Sequence, residues 1–145
     1  MDLDTKDRLI IEALQQDARQ SLAALGRRIG LSQPAISERV KKLEDAGVIE
    51  GYCAKISLKA IGLGLQAVVR VRTTHAHIPQ YVALFQAMPE ILDAVRVTGE
   101  DCFVVRCAFA DPSDLERVVD ALAVHGSVST ALVLSHPVSK PAAMR

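Results

Sequence analysis

Aromatic side chains are scarce in this sequence: three Phe, two Tyr and no Trp among 145 residues. Proteins that hold single-stranded nucleic acid on stacking platforms need exposed rings, so that class is excluded. Cysteine is scarcer still. Cys53, Cys102 and Cys107 form an odd set without a C-x-x-C pair, and the odd separation of the last two would put them on opposite faces of a strand. Neither a disulfide framework nor a metal site is expected, and the three read as reduced, cytosolic thiols. No apolar run reaches the roughly 18 residues of a membrane span. The first residues, MDLDTKDRLIIEALQQD, begin acidic and amphipathic, unlike a secretion signal. No G-x-S-x-G, P-loop or H-E-x-x-H motif occurs. His75 and His77 would share one face if extended, with His125 and His136 far along the chain, and two imidazoles do not fill a tetrahedral zinc site. Ser127 and Ser129 follow His125 at the start of an expected strand, with no acid placed to orient the histidine. No metal, cofactor or catalytic group is therefore expected.

Net charge is also lacking, since 17 basic residues balance 17 acidic ones. The balance is not local. Arg19 to Lys42 carries six basic residues against one acid, Glu38, a local charge of +5. The rest of the chain is at −5. Half of the residues are apolar, enough for a chain of this length to bury roughly 68–70% of its unfolded surface without staples.

Residues 1–50 read as three helices. Asp4 is placed to N-cap the first, with Asp7 near the positive end of its dipole and Ile10, Ile11 and Leu14 on its apolar side. Ser21 can cap a second helix, in which Leu22, Leu25 and Ile29 recur on one face until Gly30 stops it. Ser32 can cap a third, with Pro34 in its first turn and Ile36, Val40 and Leu43 as its buried stripe, closed by Gly47. The second and third helices, joined by Gly30-Leu31-Ser32, have the size and break of a helix-turn-helix. Gly26 falls where the two approach, and a larger side chain there would push them apart.

At 100° per residue Ile36, Val40 and Leu43 cluster within about 60°. Pro34, Glu38, Lys41, Lys42 and Asp45 point away, and Gln33, Ser37 and Arg39 lie on the flanks. The outer part of such a helix is what a recognition helix offers to the major groove of double-stranded DNA. Gln33 can read adenine, and Ser37 and Glu38 can meet base edges or backbone. Arg27, Arg28, Arg39, Lys41 and Lys42 suit phosphates, which fix register without reading sequence.

After Gly47 the period changes. VIEGYCAKIS (48–57) reads as an extended link and AIGLGL (60–65) as a flexible joint. From Leu65 the pattern runs strand, helix, strand, and repeats: LQAVVRVRTT, IPQYVALFQAM, ILDAVRVTG, then CFVVRCAF, DPSDLERVVDALAV, SVSTALVLS. This is the βαββαβ order of a ferredoxin-like domain. The expected class is therefore α+β, with a helix-turn-helix head over 1–50, a linker over 51–64, a ferredoxin-like domain over 65–138 and a tail over 139–145. Phe103, Val105, Cys107 and Phe109 should lie under the two helices, with Cys102, Val104, Arg106 and Ala108 on the other side. Gln66, Val68, Arg70 and Arg72 would join that second face if Leu65, Ala67, Val69 and Val71 face the helices. Helices cover one side only, so the face with valines among arginines suits a partner sheet.

The pieces LDxxDxxI, LQxDAR, GLSxPAxSxRVKKLExxGVIxGY and VTGxxxxxxR, read from the sequence as it stands, resemble the Lrp/AsnC family of bacterial and archaeal transcription regulators. The likeness runs to about residue 138. It implies a cytoplasmic DNA-binding protein, dimeric on a palindromic operator and able to assemble into tetramers or octamers, whose C-terminal domain senses a small molecule, usually an amino acid. DNA contacts carried over by the resemblance fall on Ser32, Gln33, Pro34, Ser37, Glu38, Arg39, Lys41 and Lys42. Effector contacts fall on Gly99, Glu100, Asp101 and Cys102, with Thr98 nearby. Many relatives place an acid where Cys102 stands, and a thiol cannot do a carboxylate's work toward an ammonium group. Either Glu100 and Asp101 take over that task, or the ligand differs, or none binds there. Two other readings differ in class: an architectural DNA-binding protein without an effector, and a tetrapyrrole decarboxylase of the same two-part plan, for which His75 or His125 would be the candidate groups.

Overall fold

Asp4 starts the first helix in this computed structural model, which describes residues 2–143. Its Oδ1 accepts the Asp7 N–H at 2.8 Å, and Asp7 Oδ2 accepts the Asp4 N–H at 3.2 Å. This reciprocal capping satisfies donors that a helix start leaves orphaned. Helix α1 spans Thr5–Gln16. Ser21 caps α2, Leu22–Ile29, which ends at Gly30 with φ +74°, a left-handed turn that glycine adopts without strain. Ser32 caps α3, Gln33–Asp45, with Pro34 in its first turn. Lys6, unremarked in the sequence, donates from Nζ to the Ile29 carbonyl at the end of α2, where a cation meets the negative end of the helix.

The chain divides into two units, one running through Lys55 and including the segment from Val138, the other spanning Ile56–Pro137. In the first, Ile10, Leu25, Ile36 and Leu43 are fully buried together, with Ile11, Ala13, Ile29 and Val40 around them. Each large aliphatic side chain buried this way contributes about 1.5–3 kcal/mol. The 48–57 stretch has no regular structure, and Tyr52 reaches back to donate to Glu44 at 2.8 Å. Partial burial, and then the Glu44 carboxylate, push that phenol up to about 12.

The second unit begins differently from the expected flexible joint. Lys59–Ile61 form a 3-10 turn, because Gly62 at φ +88° lets its N–H return to the Lys59 carbonyl. Then follow β1 (Leu65–Thr73), a second 3-10 turn (His75–His77), α4 (Ile78–Ala87), β2 (Ile91–Arg96), β3 (Phe103–Phe109), α5 (Pro112–Ala123) and β4 (Gly126–Leu132). The strands make one antiparallel sheet in the order β2-β3-β1-β4, the ferredoxin-like arrangement. Alternation fixes its two faces. Ala67, Val69, Val71, Phe103, Val105, Cys107 and Phe109 bury against Tyr81 of α4 and Val118 and Leu122 of α5. The Tyr81 hydroxyl donates to the Leu122 carbonyl at 2.6 Å, so the one polar group of that ring is satisfied in the core.

On the opposite face Arg70, Arg72 and Arg106 are exposed, and Val68 and Val104 are half-buried. Val95 joins them in register beside Val104 and is 47% exposed. Ala108 departs from the expectation of an open position and is fully buried. Its methyl is small, and its register partner Gln66 is held by His136 at 3.1 Å.

Candidate functional site

The turn before α3 is built around one glycine. The Gly26 carbonyl accepts from Gly30 at 2.8 Å and from Leu31 at 2.9 Å, while a Cβ on Gly26 would lie 2.6 Å from the Leu31 oxygen. The close approach of α2 and α3 thus depends on a residue without a side chain. It presents α3 with its stripe inward and two outer ridges, Gln33–Ser37–Lys41 and Pro34–Glu38–Lys42, all exposed. Arg27 and Arg28 are exposed on α2. The expected DNA set is thereby brought onto neighbouring surface, with three members engaged locally. Ser32 Oγ accepts the Ala35 N–H at 3.4 Å as the N-cap. Arg28 donates to Gln16 at 2.9 Å.

Arg39, expected on the flank of α3 as a phosphate contact, is the third. Its Nη1 lies 2.7 Å from Asp4 Oδ2 and 2.7 Å from Asp7 Oδ1. The Asp7 side chain is 7% exposed, and a carboxylate so placed needs a partner. The Asp7 N–H and then Arg39 hold the Asp4 carboxyl below its ordinary range, and the two acids raise the guanidinium. Spacing could find the caps. It could not find this pair, because Arg39 and Asp7 meet only after α1 and α3 pack.

The second expected cluster is the β2–β3 hairpin. Val97 N–H closes it on the Cys102 carbonyl at 3.1 Å, with Gly99 at φ +102°. Cys102 extends the ladder: its N–H donates to Val71 at 2.8 Å, its thiol donates to the Thr73 carbonyl at 3.0 Å, and its sulfur accepts the Thr73 N–H at 3.4 Å. Cys102 therefore anchors the turn to β1. Glu100 pairs with Arg72 at 2.6 Å, while Asp101 is half-buried and makes no ion pair among the described residues. Thr98 and Gly99 are exposed. The THAH stretch is a 3-10 turn and not extended, so His75 and His77 part company. His75 Nδ1 lies 3.4 Å from Arg96, and the His77 ring stacks on His125 at 4.8 Å. Among the described residues no cluster of three or more His, Cys, Asp or Glu is placed to hold a metal ion, and no helix is long and apolar enough to cross a membrane.

Comparisons with known proteins follow the same division. A model of winged helix-turn-helix DNA-binding matches residues 3–50, and a model of the Lrp/AsnC ligand binding domain matches residues 66–143. The HTH-type transcriptional regulator AldR of Mycolicibacterium smegmatis is 34% identical over 142 residues, covering 93% of this chain and 83% of its own length. The structure of Bacillus subtilis LrpC superposes with a TM-score of 0.91 at 29% identity, covering 97% of this chain and all of that one. A Neisseria meningitidis transcriptional regulator solved as an L-Met complex gives 0.90 at 29% identity over 99% of this chain and 97% of its own.

Proposed function

This chain belongs to the Lrp/AsnC family of DNA-binding transcriptional regulators, and from that premise we propose that two copies read one palindromic operator and bind an amino acid beside the β2–β3 turn. One observation carries the reading: the only strongly basic segment, +5 over Arg19–Lys42, is the segment whose outer ridges are exposed on the helix-turn-helix. Gln33, Ser37 and Glu38, with Ser32 and Pro34 at the helix start, are the groups for base edges and adjacent backbone. Arg27, Arg28, Lys41 and Lys42 are the phosphate contacts.

Pairing follows from the sheet. Val68, Val95 and Val104 with Arg70 and Arg106 form a face that α4 and α5 leave uncovered, and a second copy would cover it isologously. Two heads about 34 Å apart could then meet successive major grooves. The L-Met complex of the Neisseria relative supports an amino-acid effector. Asp101 is the acid on the turn that makes no ion pair among the described residues, and so the receptor for its ammonium, and the turn N–H groups can hold its carboxylate. Selection of duplexes from a random pool by the purified protein tests the first half of the proposal: recovery of one inverted repeat supports it, and recovery of no preferred sequence overturns it. Thermal shift with the twenty amino acids tests the second, since a ligand at 100 times its Kd stabilises by about 2.7 kcal/mol. A protein that selects an operator yet responds to none of them would be the architectural regulator without an effector.

A further inference from the structure

Arg39 has the charge of a phosphate contact and the surroundings of something else. One guanidinium nitrogen bridges Asp4 and Asp7, 35 and 32 residues away in the chain. Those two acids are the capping box of α1. Both Asp7 oxygens are occupied, Oδ1 by Arg39 and Oδ2 by the Asp4 N–H, and Asp4 Oδ1 is held by the Asp7 N–H. The acids cannot turn without breaking the helix start, so the arginine is held where they are. The apolar stripe of α3 fixes its depth on α1 and α2, but apolar packing is non-directional and allows a helix to roll. Hydrogen bonds from a side chain on one flank are directional and resist rolling.

We propose that Arg39 is a positioning residue: by locking α3 to the capping box of α1 it sets the angle at which Gln33, Ser37 and Glu38 meet base edges, and it contacts no phosphate. The inference rests on the DNA-binding reading of α3. It assigns the charge on the helix flank to orientation, and it makes Asp7, an acid on the DNA-binding head, a contributor to recognition of the selected duplex.

The sign of the Asp7 effect separates the alternatives. Duplex selected from a random pool and a scrambled duplex are titrated by fluorescence anisotropy over a salt series, with full-length wild type, Asp7→Asn, Arg39→Lys, Arg39→Met, the Arg39→Met/Asp7→Asn double variant and Lys41→Ala. Removing an acid should strengthen general attraction to phosphates. The proposal instead predicts that Asp7→Asn weakens binding to the selected duplex about tenfold, leaves the scrambled duplex unchanged or tighter, and keeps the salt slope. Arg39→Lys should behave likewise, although lysine serves well at a phosphate. The double variant should be no worse than Arg39→Met alone, since the two residues act as one unit. Circular dichroism reports folding, and Arg39→Lys and Asp7→Asn keep the test decisive if Arg39→Met does not fold. A slope reduced by about 0.9 for each copy bound in Arg39→Met, as for Lys41→Ala, together with unchanged or tighter binding by Asp7→Asn, overturns the proposal. Wild type that binds neither duplex removes the DNA-binding reading itself, and the proposal with it.

Discussion

Gly26 and Leu31 are nearer to each other than any side chain would allow: a Cβ on Gly26 would sit 2.6 Å from the Leu31 carbonyl oxygen. That oxygen belongs to a turn whose N–H is itself tied to Gly26, so it cannot retreat cheaply. Gly26→Ala should gain up to about 1 kcal/mol of helix propensity and lose about 2–3 kcal/mol, the upper part of the overpacking range, because the contact is with backbone. A net loss of roughly 1–2 kcal/mol is expected in thermal or urea unfolding, with weaker DNA binding, because the clash displaces α3. An unchanged midpoint would mean that the two helices are not packed as described.

Lys41 is exposed on the outer ridge of α3. Lys41→Ala should leave stability within about 0.5 kcal/mol and lower the magnitude of the log–log salt slope by about 0.9 for each copy bound. Anisotropy titrations at several salt concentrations measure this.

The uncovered sheet face places Val104 directly opposite Arg70 in register. Val104→Lys sets a second cation there, and two-fold pairing would double the conflict, since like charges across an interface cost several kcal/mol. The variant should sediment at lower mass than wild type at the same concentration while keeping its circular dichroism spectrum. Equal masses would assign the interface to another surface.

Acid sensitivity should involve Glu90. Its own backbone N–H, and then Arg117, hold its carboxyl below the ordinary glutamate range. For a depressed carboxylate the stabilisation is complete above the unfolded pKa, about 4.3, and is lost as pH falls through the folded value. Wild type should therefore lose this increment below about pH 4.3, and Glu90→Gln should be less stable at pH 7 and titrate less across that window.

Thiol labelling should separate Cys53 from Cys107. Burial pushes Cys107 up to about 11, with the Glu90 carboxylate adding to it, and Cys53 is exposed. Because the thiolate is the nucleophile, iodoacetamide at pH 8 should modify Cys53 first and Cys107 only on unfolding.

Local chemistry made much of this molecule legible in advance. Asp4, Ser21 and Ser32 cap helices, Gly30 ends α2, and Phe103, Val105, Cys107 and Phe109 at every second position mark the helix-covered face, all of which depend on neighbours within a few positions. What stayed hidden depends on packing between distant segments. Arg39 reads as one more phosphate cation, on the helix flank, until α1 arrives with two carboxylates. His75 and His77 would share a face if extended, but the 3-10 turn carries His77 onto His125. The turn at Gly99 is visible as glycine and acids, but the anchoring of Cys102 to Thr73 needs the β1–β3 register. The likeness to a family supplied candidate roles for the residues.

The outer ridges of α3 should enter the major groove of a duplex with Lys41, Lys42 and the arginines of α2 on its phosphates, two heads at a time. The salt dependence of binding by full-length wild type to its selected duplex tests this most directly. If Arg27, Arg28, Lys41 and Lys42 of both copies meet phosphates, the log–log slope approaches about −7, and any substantial subset gives a value steeper than about −3. A slope near zero, or binding equally strong to every duplex at every salt concentration, would contradict the account.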